Sequence, residues 1–150
     1  MAYWYFAFGS NLSMEQMENR VSKWQDSKKA FLKYYKLTFN KFSNRWNGGV
    51  ADIVKDSKEK THGVIYSISK EQLDIMDGFE VGYKQIPITV ECENKSLQAI
   101  TYTVINKDKF YPPSEKYIRT ILGGLVNHDF TKEIISEVET KIYSMISNNK

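Results

Sequence analysis

Apolar and polar positions along the 150 residues sort into short alternating runs and a few helical stripes. Residues 3–8 form an aromatic, strand-prone run that stops at the breaker cluster Gly9-Ser10-Asn11. Ser13 with Gln16 three positions later has capping-box spacing, and Met14, Met17 and Val21 continue at helical intervals. The chain therefore opens as strand, tight turn and helix. Residues 31–42 read as a strand, and 49–54 and 63–68 as two further short strands. Ser69 and Gln72 repeat the capping-box spacing, with Leu73 and Met76 on one face of a short helix. Ile86, Ile88 and Val90 alternate within a strand over 84–91, where Pro87 has no N–H for a ladder and predicts an edge position or a bulge. Residues 97–104 make the last strand. Ser114 caps a helix striped by Tyr117, Ile118, Ile121, Leu122 and Leu125. Thr131 caps another with Ile134, Ile135, Val138, Ile142 and Met145 inward, and residues 147–150 are expected to fray.

Strands mixed with a few helices, without strict βαβ alternation, predict an α+β fold: a small, mostly antiparallel sheet or barrel with helices packed around it. At this length residues 1–150 are expected to form one domain, burying roughly 70% of the unfolded surface. A hydrophobic fraction of 41%, 26% charged residues and a net charge of +3 exclude a disordered chain. No apolar run approaches the roughly 18 residues of a membrane span. The apolar start from Met1 to Ala7 lacks a basic n-region, so a cytoplasmic location is expected. Cys92 is the lone cysteine, which excludes an internal disulfide, and its strand-like context marks a small buried hydrophobe. One Cys and two His cannot build an ordinary zinc site, and neither His62 nor His128 sits in a recognisable site. No metal or cofactor is expected.

Three constellations can carry chemistry. At Gly9-Ser10-Asn11 a strand ends in a turn that opens a helix, leaving backbone N–H groups free for a carboxylate, phosphate or oxyanion. The same residues also fit a plain strand-to-helix turn, with Gly9 supplying a positive φ. A nucleotide P-loop is not supported, because its lysine-containing pattern is missing. Next, the end of the short helix carries Asp77, Glu80 and Tyr83 around Gly78 and Gly82. Phe79 would set Glu80 in apolar surroundings, raising its pKa and making it a better base; a solvated acidic helix end fits equally. Acids are unfavourable at a helix C-terminus, which points to another reason for their presence. Lastly, residues 20–46 hold eight basic groups, one acid (Asp26) and seven aromatics. Such interleaving suits single-stranded nucleic acid, but an amphipathic strand produces it as well. At a net +3 no nucleic-acid partner is expected.

Taken together, ordered motifs span nearly the whole chain. They are Tyr5-Phe6-Ala7-Phe8-Gly9-Ser10-Asn11-Leu12, then Arg45-Trp46-Asn47-Gly48-Gly49-Val50-Ala51-Asp52, then Gly63-Val64-Ile65-Tyr66. Residues 73–80 with Tyr83, and Pro112-Pro113-Ser114-Glu115-Lys116-Tyr117, complete the series. This set resembles the gamma-glutamylcyclotransferase-like family, its first motif being the most specific. The resemblance implies a small, mostly antiparallel β-barrel with flanking helices and a cavity for a γ-glutamyl group. It further implies Glu80 as general acid/base and the stretch from Tyr5 to Leu12 as a source of backbone donors. Tyr117, and with less support Tyr83, would contact substrate. Two departures stand out: Phe8 replaces the family's usual tyrosine, removing a hydroxyl, and the interval from Glu80 to Tyr83 is short.

The implied reaction is an internal aminolysis, in which a γ-glutamyl α-amine attacks its own side-chain carbonyl, closes 5-oxoproline and expels an amine or amino acid. Nucleophile and electrophile share one molecule, so orientation can supply roughly 7–11 kcal/mol without a Cys, His or metal. The expected partner is thus a small γ-glutamyl molecule, acted on by a monomer or homodimer. An enzyme releasing γ-glutamyl groups from amines or isopeptides, and a non-catalytic γ-glutamyl-binding module, are the alternatives.

Overall fold

A computed structural model of the protein describes residues 2–150. β1 (Ala2–Ala7) pairs antiparallel with the end of β3 (Gly48–Ser69), and β3 pairs with β2 (Asp26–Ser43). β2 touches β4 (Tyr83–Cys92) through Phe31 and Glu91, and β4 pairs in continuous register with β5 (Lys95–Val104). A parallel pairing of Tyr5 with Ile100 returns β5 to β1 and closes the barrel in the order β1-β3-β2-β4-β5. Closure leaves no free sheet edge for non-specific pairing. Four helices flank it: α1 (Met14–Val21), α2 (Lys70–Phe79), α3 (Glu115–Asn127) and α4 (Lys132–Asn148). α1 packs against α2, and α3 packs against both α4 and the 3-10 turn Ser10–Leu12. Among the described residues, no helix is long and apolar enough to cross a membrane.

Local signals set these elements. Ser13, Ser69, Ser114 and Thr131 are all helix N-caps, each accepting from the amide three residues on. Only Ser69 completes the reciprocal box, because the Gln16 side chain is drawn instead to Ser10 and Asn11. Phe6, Ile65, Tyr66 and Ile68 are wholly buried, with Phe6 and Ile65 on one face of the sheet and Tyr66 and Ile68 on the other. Pro87 holds its register with Ile100 without a bulge, and β2 does not pair with β4 at that point. Pro87 thus occupies an edge-like position inside a closed sheet. Cys92 is buried, as its pattern implied.

Apart from shifts of one or two residues at the ends of several strands, four features differ from the sequence reading. The two short strands expected at 49–54 and 63–68 are the ends of the single strand β3. Between them lies a polar run from Lys55 to Lys60, and the register with β2 slips from Lys33–Lys60 to Tyr35–Lys55. Tyr34 takes up the irregularity with φ 68°. β2 itself begins at Asp26, because Lys28 and Lys29 pair with Ile65 and Val64 although they break the apolar pattern. A 3-10 turn stands between β1 and α1. α4 continues to Asn148, leaving only residues 149–150 outside it.

Candidate active site

Between the end of β1, the C-terminus of α2 and the start of β3 opens a cavity of about 370 Å³. Asn11 organises one wall. Its side-chain oxygen accepts from Gln16 Nε2 at 3.1 Å and from Arg20 Nη1 at 3.2 Å. Its amide nitrogen donates to the Tyr5 hydroxyl at 2.9 Å and reaches Glu80 Oε1 at 3.5 Å. Its carbonyl accepts from the Tyr66 hydroxyl at 2.8 Å, and that hydroxyl also lies 2.9 Å from His128 Nε2. The turn is thus pinned from α1, β1, β3 and α3. Its Leu12 and Ser13 amides bond back to Gly9 and Ser10. Among the described residues, the amides of Gly9 and Asn11 have no intrachain acceptor and remain available to a ligand.

Gly9 does not provide the positive φ considered from sequence; its φ is −115°. It is needed for close approach, since a Cβ there would lie 3.1 Å from both the Ala51 Cβ and the Tyr117 hydroxyl. Positive φ is required instead at Gly82, with φ 86°. That residue lies in the turn closed by the Tyr83 amide on the Glu80 carbonyl at 3.1 Å, which explains the short interval between the two side chains.

Glu80 stands at the C-cap of α2 with its side chain 14% exposed. Burial pushes its carboxyl up to about 7, with the Arg20 guanidinium pulling it down and Asp77 adding a smaller upward push. Arg20 Nη1 lies 4.0 Å away, outside direct hydrogen-bond reach. Phe79 is half-exposed beneath the Arg20 guanidinium, 4.9 Å away, and lines the same cavity as Glu80. Glu80 is surrounded by Tyr5, Tyr83, Tyr102 and Tyr117, each of whose ionisation its charge opposes. Asp77 bonds the Tyr102 hydroxyl and takes Gln85 Nε2 at 2.7 Å.

Two tyrosines grip Ala51 in opposite senses. The Tyr83 hydroxyl donates to the Ala51 carbonyl at 2.9 Å, whereas the Tyr117 hydroxyl accepts from the Ala51 amide at 2.9 Å. Tyr117 therefore keeps its proton to donate into the cavity, and Tyr83 offers only lone pairs. Burial raises the pKa of both phenols, so they remain protonated at neutral pH. Next to Ala51, the fully buried Asp52 is bonded by Asn40, Thr103, the Val104 amide and Lys107, and ties β3 to β2, β5 and the loop beyond.

Comparison with known proteins identifies the family. Residues 5–120 match the family described as "Gamma-glutamyl cyclotransferase, AIG2-like". The chain belongs to the gamma-glutamylcyclotransferase family. Gamma-glutamylcyclotransferase of Bos taurus is 32% identical over 132 residues, covering 82% of this chain and 70% of the relative. The Mus musculus enzyme is 32% identical over 138 residues, covering 86% and 73%. A solved gamma-glutamyl cyclotransferase superposes with a TM-score of 0.86 at 25% identity, covering 99% of each chain. The protein is accordingly an enzyme of cyclotransferase type on the expected α+β barrel.

Within this cyclotransferase, the cavity brings together Tyr5, Phe8, Gly9, Ser10, Asn11, Glu80, Tyr83 and Tyr117. Phe6, Ala7 and Leu12 do not line it; all three are buried, Phe6 and Ala7 in the β1 core and Leu12 under α3. Sequence reasoning missed Arg20, which it took as the start of a basic stretch. The available signal was its i, i+4 spacing from Gln16, which puts both side chains on the α1 face over Asn11. Arg20 Nε is buried without a hydrogen-bond partner. Lys41, Arg45 and Trp46 also reach the lining, so three cations face one acid. That excess favours an anionic ligand.

Proposed function

We propose that this enzyme cyclises the γ-glutamyl group of a small molecule to 5-oxoproline and releases an amine or amino acid, with Glu80 as general acid and base. The observation that carries the reading is a buried carboxyl with its pKa raised to about 7, lining the same cavity as Gly9 and Asn11, whose main-chain amides have no recorded acceptor. A carboxyl with that pKa is a stronger base than an ordinary glutamate near 4.5, so taking a proton from the substrate ammonium is less uphill. Glu80 takes a proton from the substrate ammonium. The freed amine attacks the γ-carbonyl carbon, forming the ring C–N bond. As the C–N bond to the leaving group breaks, protonated Glu80 gives it one proton; the ring nitrogen's second proton then passes through the freed carboxylate to the same group, so a neutral lactam and an ammonium leave.

The amides of Gly9 and Asn11 and the Tyr117 hydroxyl are the donors for the oxygen that becomes negative in between. One such donor is typically worth about 3–4 kcal/mol of barrier. Arg20, whose guanidinium lines the cavity, is suited to the substrate's α-carboxylate. Tyr83, with lone pairs to offer, suits the ammonium. Phe6, Ala7 and Leu12 act behind this surface, holding the turn in place.

The test is Glu80→Gln assayed with a panel of γ-glutamyl amino acids and γ-glutamyl amines, with 5-oxoproline read by mass spectrometry. The reading requires product from at least one substrate with the native enzyme and a rate lower by about 10²-fold or more with the variant, whose circular dichroism stays native. A folded Glu80→Gln that keeps the native rate rejects it.

A further inference from the structure

Ser13 caps α1 without the return bond that a capping box would take from Gln16. The Ser13 amide is held by the Ser10 carbonyl at 3.0 Å, which leaves the Gln16 side chain free of the cap. Its amide nitrogen has two protons and spends both on the turn, one on the Ser10 hydroxyl and one on Asn11 Oδ1 at 3.1 Å. Gln16 does not line the active-site cavity, whereas Asn11 does.

The two ends of the Asn11 amide are alike in shape and opposite in polarity. One end meets Arg20 Nη1 at 3.2 Å, and a guanidinium can only donate, so that end is the oxygen. The nitrogen end therefore meets the Tyr5 hydroxyl at 2.9 Å, the Met76 sulfur at 3.4 Å and Glu80 Oε1 at 3.5 Å. Turned over, the amide would set its oxygen against the Glu80 carboxylate and its protons against two donors. In the proposed cyclisation Arg20 has a second claim on it, the substrate's α-carboxylate. Gln16 stands behind the cavity wall and is left to hold Asn11.

We propose that Gln16 is a positioning residue: by donating to Asn11 Oδ1 it keeps the Asn11 amide protons turned to Glu80 and Tyr5. Protons facing Glu80 favour its carboxylate form, the one that accepts a proton from the substrate. That consequence rests on the cyclisation reading, whereas the orientation of Asn11 does not. Glutamate in place of Gln16 inverts the contact. Its carboxylate can still accept from the Ser10 hydroxyl, but it repels Asn11 Oδ1 and attracts Arg20 one helical turn on. Methionine removes the contact at similar length.

The test follows the Asn11 side-chain amide by nitrogen-15 NMR in the full chain, in Gln16→Glu and in Gln16→Met. Asn19→Asp, exposed on the same helix, controls for the added charge. In the native protein the amide signals should move as Glu80 ionises, a dependence that Glu80→Gln removes. Gln16→Glu should lose that dependence, because oxygen then faces Glu80, and Asn19→Asp should keep it. On the γ-glutamyl panel kcat should fall about tenfold in Gln16→Glu and about threefold in Gln16→Met, the range that one hydrogen bond is worth, and stay native in Asn19→Asp. A residue needed only for packing would give the reverse order, since glutamate matches glutamine more closely than methionine does. The proposal is overturned if the Asn11 signals of Gln16→Glu still follow Glu80, or if that variant is as active as Gln16→Met. Should Gln16→Glu not fold, a folded Gln16→Met with native kcat overturns it. A native protein that turns over no γ-glutamyl substrate rejects the cyclisation instead, and the NMR comparison then decides the role of Gln16 by itself.

Discussion

Asp52 and Glu80 are both withdrawn from water, and their surroundings differ in kind. Asp52 accepts from Asn40 at 2.8 Å, Thr103 at 2.7 Å and the Val104 amide at 3.0 Å, and meets Lys107 at 2.6 Å. Among the described residues, Glu80 has only Asn11 at 3.5 Å and Arg20 at 4.0 Å. A carboxylate with every lone pair engaged is a tie between strands. One left short of partners holds its proton near neutrality, and that is the useful state for an acid that must both take and give. The same residue class thus serves architecture on one side of Ala51 and chemistry across the cavity, according to the donors supplied.

Exchanging the roles is the sharpest way to break this comparison. Glu80→Gln should lower kcat by roughly 10²–10⁴-fold or more, the usual worth of a general acid/base, while the protein stays folded. Asp52→Ala should do the opposite, costing about 3–5 kcal/mol of stability in urea unfolding, as expected when a buried pair loses one member, with kcat in the folded enzyme changed little. If Asp52→Ala abolishes turnover without destabilising, the assignment of roles is reversed.

A smaller effect follows from linkage. The folded pKa of Glu80, about 7, lies above its ordinary 4.5, so its contribution to stability is fully present below pH 4.5 and lost as pH rises through 7. Glu80→Gln should therefore be more stable than the native protein at pH 8 than at pH 4, by up to about 3 kcal/mol. A gain independent of pH would contradict the raised pKa. The smallest expected change is in Arg20→Met. Without the guanidinium that holds Glu80 down, the rise of kcat/KM with pH should move to higher pH, and KM should increase with the loss of a carboxylate partner.

Alternation and helix spacing made the strands and all four caps legible, because these depend on residues a few positions apart. What stayed hidden depends on long-range pairing. The polar run from Lys55 to Lys60 carries no apolar signal, yet it belongs to β3 because β2 pairs with β3 on either side of its irregularity. Glu80 was legible from its place at a helix end, but its environment was not, since Phe79 is half-exposed and tyrosines from three strands and a helix enclose the carboxyl. Gly9 was legible as necessary, though for a different reason: Ala51 and Tyr117, distant in sequence, crowd it. Arg20 and the four partners of Asp52 become visible only once the barrel closes and α1 lies over the turn.

The most direct measurement is a carbon-13 NMR titration of the Glu80 side-chain carboxyl in the native enzyme, assigned by its loss in Glu80→Gln. A midpoint near pH 7 is predicted. A midpoint near the ordinary 4.5 would mean that the carboxyl is fully ionised at neutral pH and unable to return the proton, contradicting its role as both acid and base.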